Sequence, residues 1–224
     1  MSPSKAPNGR TGRPPVTSRA EILAAARRLI DQDSWEKLTV RKLAAELGIG
    51  TTTLYHHVRD KEDLLLLVLN EYAGQRPRVE LPDGPRDRIV AAAGWLHDAF
   101  STWPWAVEIL TADGFVGLLD DAALWPVEVI VAGAVDAGCT QEQAVVLFRS
   151  VWYYTVGEIL VRTRSPHRTV SGEAPTFDLP SNLDPERTPQ LTAIGADWKT
   201  YAAADTYPIG LTALVDGLLA RSAN

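Results

Sequence analysis

TVRKLAAELGIGTTTLYHHVRDK, residues 39–61, is the stretch around which the rest of the chain can be read. Val40, Leu43, Ala44 and Leu47 recur at i, i+3, i+4 and i+7, which puts them on one buried face of a helix. Thr39 is placed to cap it, and Lys42 three residues on means there is no reciprocal capping box. Gly48 ends the helix, because a glycine takes the left-handed conformation without a steric cost. Ile49 plugs the corner. A second helix begins at Gly50 or Thr51 and ends before Asp60, with Leu54 and Val58 facing inward. Two short helices joined by a tight glycine turn make a helix-turn-helix.

The outward face of the second helix carries Thr51, Thr52, Thr53, Tyr55, His56 and His57, with Arg41, Lys42, Arg59 and Lys61 around it. A solvated helix hairpin has no need of that set. A helix in the major groove does: small donors and acceptors read base edges, threonine methyls meet thymine methyls, and cations hold phosphates. Asp60 caps the next helix with Asp63 three residues on, so Lys61 sits at a positive helix end, where a phosphate is favoured.

The longer string LTVRKLAAELGIGTTTLYHHVRDKEDLL resembles the N-terminal domain of the tetracycline-repressor (TetR) family of transcriptional regulators, over about residues 18–67. The resemblance implies DNA contacts from Arg41 and Lys42 on the first helix of the motif. It implies further contacts from Thr51, Thr52, Thr53, Tyr55, His56 and His57 on the recognition helix, and a phosphate contact from Lys61. Family members often differ at Thr51, Thr52 and His56, as they must if those positions set the operator sequence.

The net charge of −6 averages two unlike parts. Residues 1–61 carry eleven Lys and Arg against six Asp and Glu, a formal +5, whereas residues 62–224 carry eleven against twenty-two, a formal −11. A basic N-terminal module on an acidic body is the asymmetry of a DNA-binding protein. With 46% apolar and 22% charged residues the 224-residue chain can bury a full core. Its one cysteine, Cys139, excludes an internal disulfide and fits a reducing cytoplasm, where a nucleoid-associated protein is expected. No signal peptide and no apolar run long enough to span a bilayer are read, so no membrane association is expected.

Residues 1–16, rich in Pro, Gly and Ser, are expected to be a disordered basic arm. Either it is a solvated tail or Arg13, within TGRPP, reaches the minor groove as homeodomain arms do. The helix-turn-helix domain is assigned to 17–62. It opens with a capping box at Ser18 and Glu21 and a buried stripe of Ile22, Ala25, Ala26, Leu29 and Ile30. Asp33-Ser34-Trp35 turns the chain where the family commonly has glycine, so this turn is made differently. The next helix runs to about Ala73, where Gly74 ends it, and its position makes it a lever to the remainder, assigned to 63–224.

An all-α fold of about nine or ten helices follows. After a proline-rich linker over 74–85, Ile89, Ala92, Ala93, Leu96 and Phe100 mark one helix and Trp103-Pro104-Trp105 begins a short one. A helix over about 119–137 contains Pro126, which must either kink it or delay its start. Thr140 and Gln143 cap a long helix to about residue 164, followed by a loop over 165–187, a short helix near 189–195 and a last one over about 206–220.

The long helix is apolar on nearly every face, from Val145 to Val161, so it is expected to be buried all round. One side then lines the interior and the other meets a second subunit, with Gly157 allowing close approach. The resemblance implies a homodimer through a four-helix bundle of this helix and the last one. Gly157, Leu160, Leu211, Leu214 and Leu218 are the interface candidates. A two-fold dimer matches a palindromic operator on double-stranded DNA.

Aromatic residues collect in the helices that enclose the effector pocket of the resembled family. Trp95, Phe100, Trp103, Trp105, Trp125, Phe148, Trp152 and Tyr153 are candidate ligand contacts, and Glu158 is the candidate polar one. The alternative for the aromatics is packed core, and for Glu158 an ion pair with Arg162 four residues on. The effector is expected to be aromatic or polycyclic, because Trp and Tyr faces offer stacking more than charge. Residues 110–119, LTADGFVGLL, lack the histidine that metal-assisted tetracycline binding needs, so no metal and no cofactor are assigned. An enzyme using His97-Asp98 or Cys139 is the competing class. Neighbouring helix residues diverge in direction, and one dipeptide does not supply convergent groups, so no catalytic residue is assigned. A constitutive binder or an activator stays open beside a ligand-responsive repressor.

Overall fold

The computed structural model describes residues 17–111, 114–164 and 179–222, and every regular element among them is helical. The basic arm and Arg13 lie outside the described residues. The chain forms two compact units, Met1–Glu71 and Tyr72–Asn224.

The first unit holds α1 (Arg19–Asp33), α2 (Val40–Leu47), α3 (Thr51–Tyr55) and most of α4 (Lys61–Gln75). Both halves of the α1 capping box form: Ser18 Oγ accepts from the Glu21 amide at 3.2 Å and the Ser18 amide donates to Glu21 Oε2 at 2.7 Å. Thr39 Oγ1 caps α2 by accepting from the Lys42 amide at 3.1 Å. Each such cap is worth about 1 kcal/mol. Gly48 ends α2 at φ 65°, as the turn requires. Ile22, Ala25, Ala26, Leu29, Ile30, Leu43, Ala44, Leu54 and Val58 form the core, with Leu23 and Leu38 in addition. Val40 and Leu47, expected at full burial, are only half-buried at the two ends of α2. The second helix of the motif is shorter than expected: α3 stops at Tyr55, and His56 and His57 occupy the turn after it.

Ser34 makes the turn after α1. It sits at φ 124° and ψ 157°, the one non-glycine residue at positive φ among those described. That region of backbone space belongs almost wholly to glycine. The Ser34 amide is held by the Ile30 carbonyl at 3.1 Å and its hydroxyl donates to Glu36 at 2.7 Å. The cost of the conformation is thus opposed by two local hydrogen bonds.

In the second unit lie α5 (Pro85–Thr102), α6 (Pro104–Ile109), a 3-10 turn (Phe115–Leu118), α7 (Asp121–Asp136), α8 (Gln141–Arg164), α9 (Pro189–Ile194), α10 (Asp197–Ala202) and α11 (Tyr207–Ser222). The described residues thus hold eleven α-helices, more than the nine or ten expected, because α10 is too short to show a period. Gly74 does not end α4, which continues to Gln75. Pro126 neither delays nor ends α7; its missing N–H removes one bond, to the Ala122 carbonyl, and the Asp120 carboxylate secures the first turn at 3.1 Å.

α8 packs against α5, α6, α7 and α11. Its inner face is Ala144, Leu147, Phe148, Val151, Trp152, Thr155, Val156 and Ile159, a 3.6-residue stripe; Val145, Val146, Tyr153 and Val161 stay exposed. The chain's own packing therefore covers one side only. By length and composition α8 could cross a membrane, contrary to the reading of the sequence. It carries Arg149, Glu158 and Arg162, and its inner stripe is core, so packing accounts for its hydropathy.

A polar layer ties α5, α8 and α11 together. The Tyr207 hydroxyl meets Thr155 Oγ1 at 2.8 Å and the Ala93 carbonyl at 3.3 Å, and its ring stacks on His97 at 3.8 Å. Burial pushes the Tyr207 hydroxyl well above the ordinary tyrosine range, against a smaller opposing effect of the Thr155 bond. Gly210 lets α11 cross Tyr154 closely: a Cβ there would overlap the Tyr154 hydroxyl and lie 2.8 Å from its Cζ. Arg86 on α5 grips Asp216 on α11 with two bonds, at 2.7 and 2.9 Å.

Candidate nucleic-acid interface and effector cavity

The turn at Gly48 and the burial of Leu54 and Val58 set the direction of everything else on α3. Thr52, Thr53, Tyr55, His56 and His57 are exposed and Thr51 is half-exposed, so one short surface presents three hydroxyls, a phenol and two imidazoles. Tyr55 is 55% exposed, unusual for a large aromatic ring in a small domain.

Around this surface the cations differ in their freedom. Arg41 is exposed and makes no ion pair with any described residue. Lys42 is paired with Asp33 at the end of α1, whose carboxyl is held below the usual range by that hydrogen bond and then by the charge itself. Lys61 Nζ donates to the Glu36 carbonyl at 2.9 Å and lies 5.0 Å from the centroid of the Trp35 ring. Arg59 bonds Asp63 at 2.8 Å, while Asp63 accepts the Arg59 amide at 2.9 Å and donates its own amide to Asp60. The Arg59 bond comes first among the causes that lower the Asp63 carboxyl. Thus Lys42 is tethered by the last residue of α1 and Lys61 by the turn after it. The sequence reading missed these tethers, and the only signal for them was the acidic, aromatic DSWE around the turn.

Fewer of the candidate effector residues come together. A cleft of about 300 Å³ opens between the end of α6, the 3-10 turn, α7 and α8. Of the expected contacts, Phe148, Trp152 and Tyr153 line it. Phe100 stands behind, edge-on to Trp152 at 5.6 Å. Leu110, Thr111, Phe115, Val116, Val127, Val131, Val145 and Arg149 also line it and were not anticipated. Most of the tryptophans are used elsewhere. Trp95 donates to the Pro77 carbonyl at 2.9 Å and meets Trp125 edge-on at 5.3 Å; Arg76 and Arg78 lie over Trp95 and Trp125. Trp103 packs on Tyr72 at 4.7 Å and Trp105 on the same ring at 6.3 Å. These four residues fasten the end of α4 and the segment after it onto α5, α6 and α7, and none of them lines the cleft. Glu158 is also committed: it bonds His97 at 2.8 Å and pairs with Arg162, which reaches Asp205 at 2.8 Å. Its carboxylate bridges α5 and α8, and the ion pair with Arg162 is present.

Among the candidate interface residues, Gly157 is exposed and a Cβ built on it meets nothing within 4 Å. Leu160, Leu214 and Leu218 are half-buried. Leu211 is 2% exposed, inside the protomer's own core, and has no surface left for a partner. Ile209, 74% exposed, was overlooked because it precedes the stripe that the sequence pattern picks out on α11. No cluster of three or more His, Cys, Asp and Glu suited to a metal occurs among the described residues.

Residues 22–68 match the model of the bacterial regulatory proteins of the tetR family. Over these residues the chain is a tetR-family domain. It is a DNA-binding transcriptional regulator of the helix-turn-helix type. Along nearly its whole length the chain is similar to an HTH-type transcriptional regulator of Saccharopolyspora erythraea, 27% identical over 93% of the chain and 87% of the relative. An HTH-type transcriptional repressor of Mycobacterium tuberculosis is 26% identical over 88% of the chain and 78% of the relative. The fold is shared with ActR of Streptomyces coelicolor (TM-score 0.69, 19% identity, 92% of this chain and 97% of that one). It is also shared with BioQ solved with its double-stranded DNA operator (TM-score 0.64, 22% identity, 91% and 99%).

Proposed function

We propose that this tetR-family chain is a cytoplasmic, homodimeric repressor that binds a palindromic operator and is released by a small apolar or aromatic effector. The observation that carries the reading is the division of α3 and its following turn. Leu54 and Val58 are buried, and every other side chain from Thr52 to His57 is turned outward. A surface so rich in hydrogen-bonding groups reads base edges, and the neighbouring Arg41, Lys42 and Lys61 supply phosphate contacts. One-sided burial of α8 and the exposed Val146, Tyr153, Val161 and Ile209 support pairing of two copies. The name repressor carried by the mycobacterial relative favours repression over activation.

Release needs an effector whose affinity differs between the DNA-bound and DNA-free conformations. The cleft beside Trp152 is the place for it. The test is reciprocal titration. A compound that quenches Trp152 fluorescence should weaken operator binding about 5- to 150-fold at saturation, and operator should weaken the compound's binding by the same factor. A compound that fills the cleft and leaves operator affinity unchanged would favour the constitutive binder.

A further inference from the structure

The cleft has a floor and a rim of different chemistry. Leu110, Phe115, Phe148 and Trp152, none more than 9% exposed, make the floor, and the Phe115 and Trp152 rings stack there at 4.6 Å. Arg149 stands at the rim, exposed. It is the only charged side chain among the described lining residues. It precedes Trp152 by three positions on α8, so the two share a helix face. Its guanidinium donates to the Tyr153 hydroxyl and lies 5.3 Å from the centroid of that ring. No described carboxylate pairs with it.

Among the described residues the guanidinium is thus oriented by a phenol but not neutralised. A planar fork of donors held beside an apolar, aromatic floor fits a carboxylate attached to a ring. The ring removes the floor from water, and the carboxylate stays at the mouth, where its hydration is only partly lost. A cationic ligand would meet repulsion at the same point, and a strongly polar one would forfeit the floor. The volume, about 300 Å³, is at the small end for ligand sites and favours a bicyclic body over a large polycycle.

We propose that the effector is a small aromatic monoanion, a ring carboxylate, seated on Phe115 and Trp152 with its charge on Arg149. This rests on the reading of the cleft as the effector site. The test is calorimetric titration of the full chain with 2-naphthoate and with its neutral counterpart 2-naphthamide, for wild type, Arg149→Gln and Arg149→Lys. Wild type should prefer the acid by about tenfold. Arg149→Gln should lose that preference yet keep the amide's affinity, and Arg149→Lys should restore part of it. Arg149 is exposed, so thermal melting of both variants should match wild type. Equal affinities for acid and amide in wild type, or an unchanged preference in Arg149→Gln, would overturn the anion assignment and leave the cleft as a neutral-ligand site. Binding of neither compound by wild type would overturn the effector-site reading along with it.

Discussion

Lys61 stands over the Trp35 ring, its ammonium 5.0 Å from the centroid, and is held there by the carbonyl of the neighbouring Glu36. This arrangement fixes a flexible side chain at the start of α4. A cation placed in advance loses less freedom when it meets a phosphate. Lys61→Ala is expected to weaken specific and non-specific duplexes by the same factor and to reduce the slope of log K against log salt by about 0.9. Thr52→Ala is expected to change base preference at one position instead, by about 1–3 kcal/mol. Parallel salt titrations of the two variants separate the roles.

Asp33 restrains Lys42. Asp33→Asn should free that cation and raise affinity for any duplex a few-fold at low salt, an advantage that fades as screening grows. Anisotropy measured across a salt series checks it; an affinity that falls would mean that Asp33 positions Lys42 for DNA.

Asp33 is one of several surface carboxylates whose pairing is lost in acid. Asp33, Asp63 and Asp216 are held below their ordinary values by Lys42, Arg59 and Arg86, and Glu21 by Ser18. A depressed carboxyl contributes stability above its unfolded pKa, about 4, and that contribution is lost as pH falls through the folded value. Urea midpoints should therefore change little on this account from pH 7 to pH 5 and decline below about pH 4. High salt should flatten the decline, because these pairs lie at the surface.

Ser34 occupies backbone space that glycine takes freely. Ser34→Gly should raise stability by about 1 kcal/mol, the net of relieved strain against the freer unfolded chain and the lost hydroxyl bond to Glu36. A higher urea midpoint at constant slope is the expected reading.

Two glycines on the α8–α11 side behave oppositely. Gly210→Ala should destabilise the protomer by about 1–3 kcal/mol through its clash with Tyr154. Gly157→Leu has open space in the protomer and should leave its folding intact while breaking the dimer. Sedimentation at micromolar concentration distinguishes the two, and a Gly157→Leu variant that stays dimeric would move the interface elsewhere.

What could be read from the sequence was set by short-range physics. Gly48, the caps at Ser18, Thr39 and Thr140, and the inward Leu54 and Val58 depend on spacings of three or four residues, and they stand where the pattern puts them. The cleft was less legible because it depends on how each helix is rotated against its neighbours. Trp95, Trp103 and Trp125 carry the same composition signal as Trp152, yet Arg76, Arg78 and Pro77 claim their faces. Glu158 looked available on its helix until His97, sixty-one residues earlier, was found beside it. Leu211 and Leu214 share one apolar stripe, and only the packing of α5 and α8 separates core from surface.

The most direct test of DNA reading by the α2–α3 surface is selection of duplexes from a random pool by the full chain, followed by a salt titration of the selected sequence. The account predicts a two-fold symmetric site, bound with a steep inverse dependence on salt, and a changed preferred sequence when Thr52 or His56 is replaced by alanine. Enrichment of no sequence, or binding indifferent to salt and to those two residues, would contradict it.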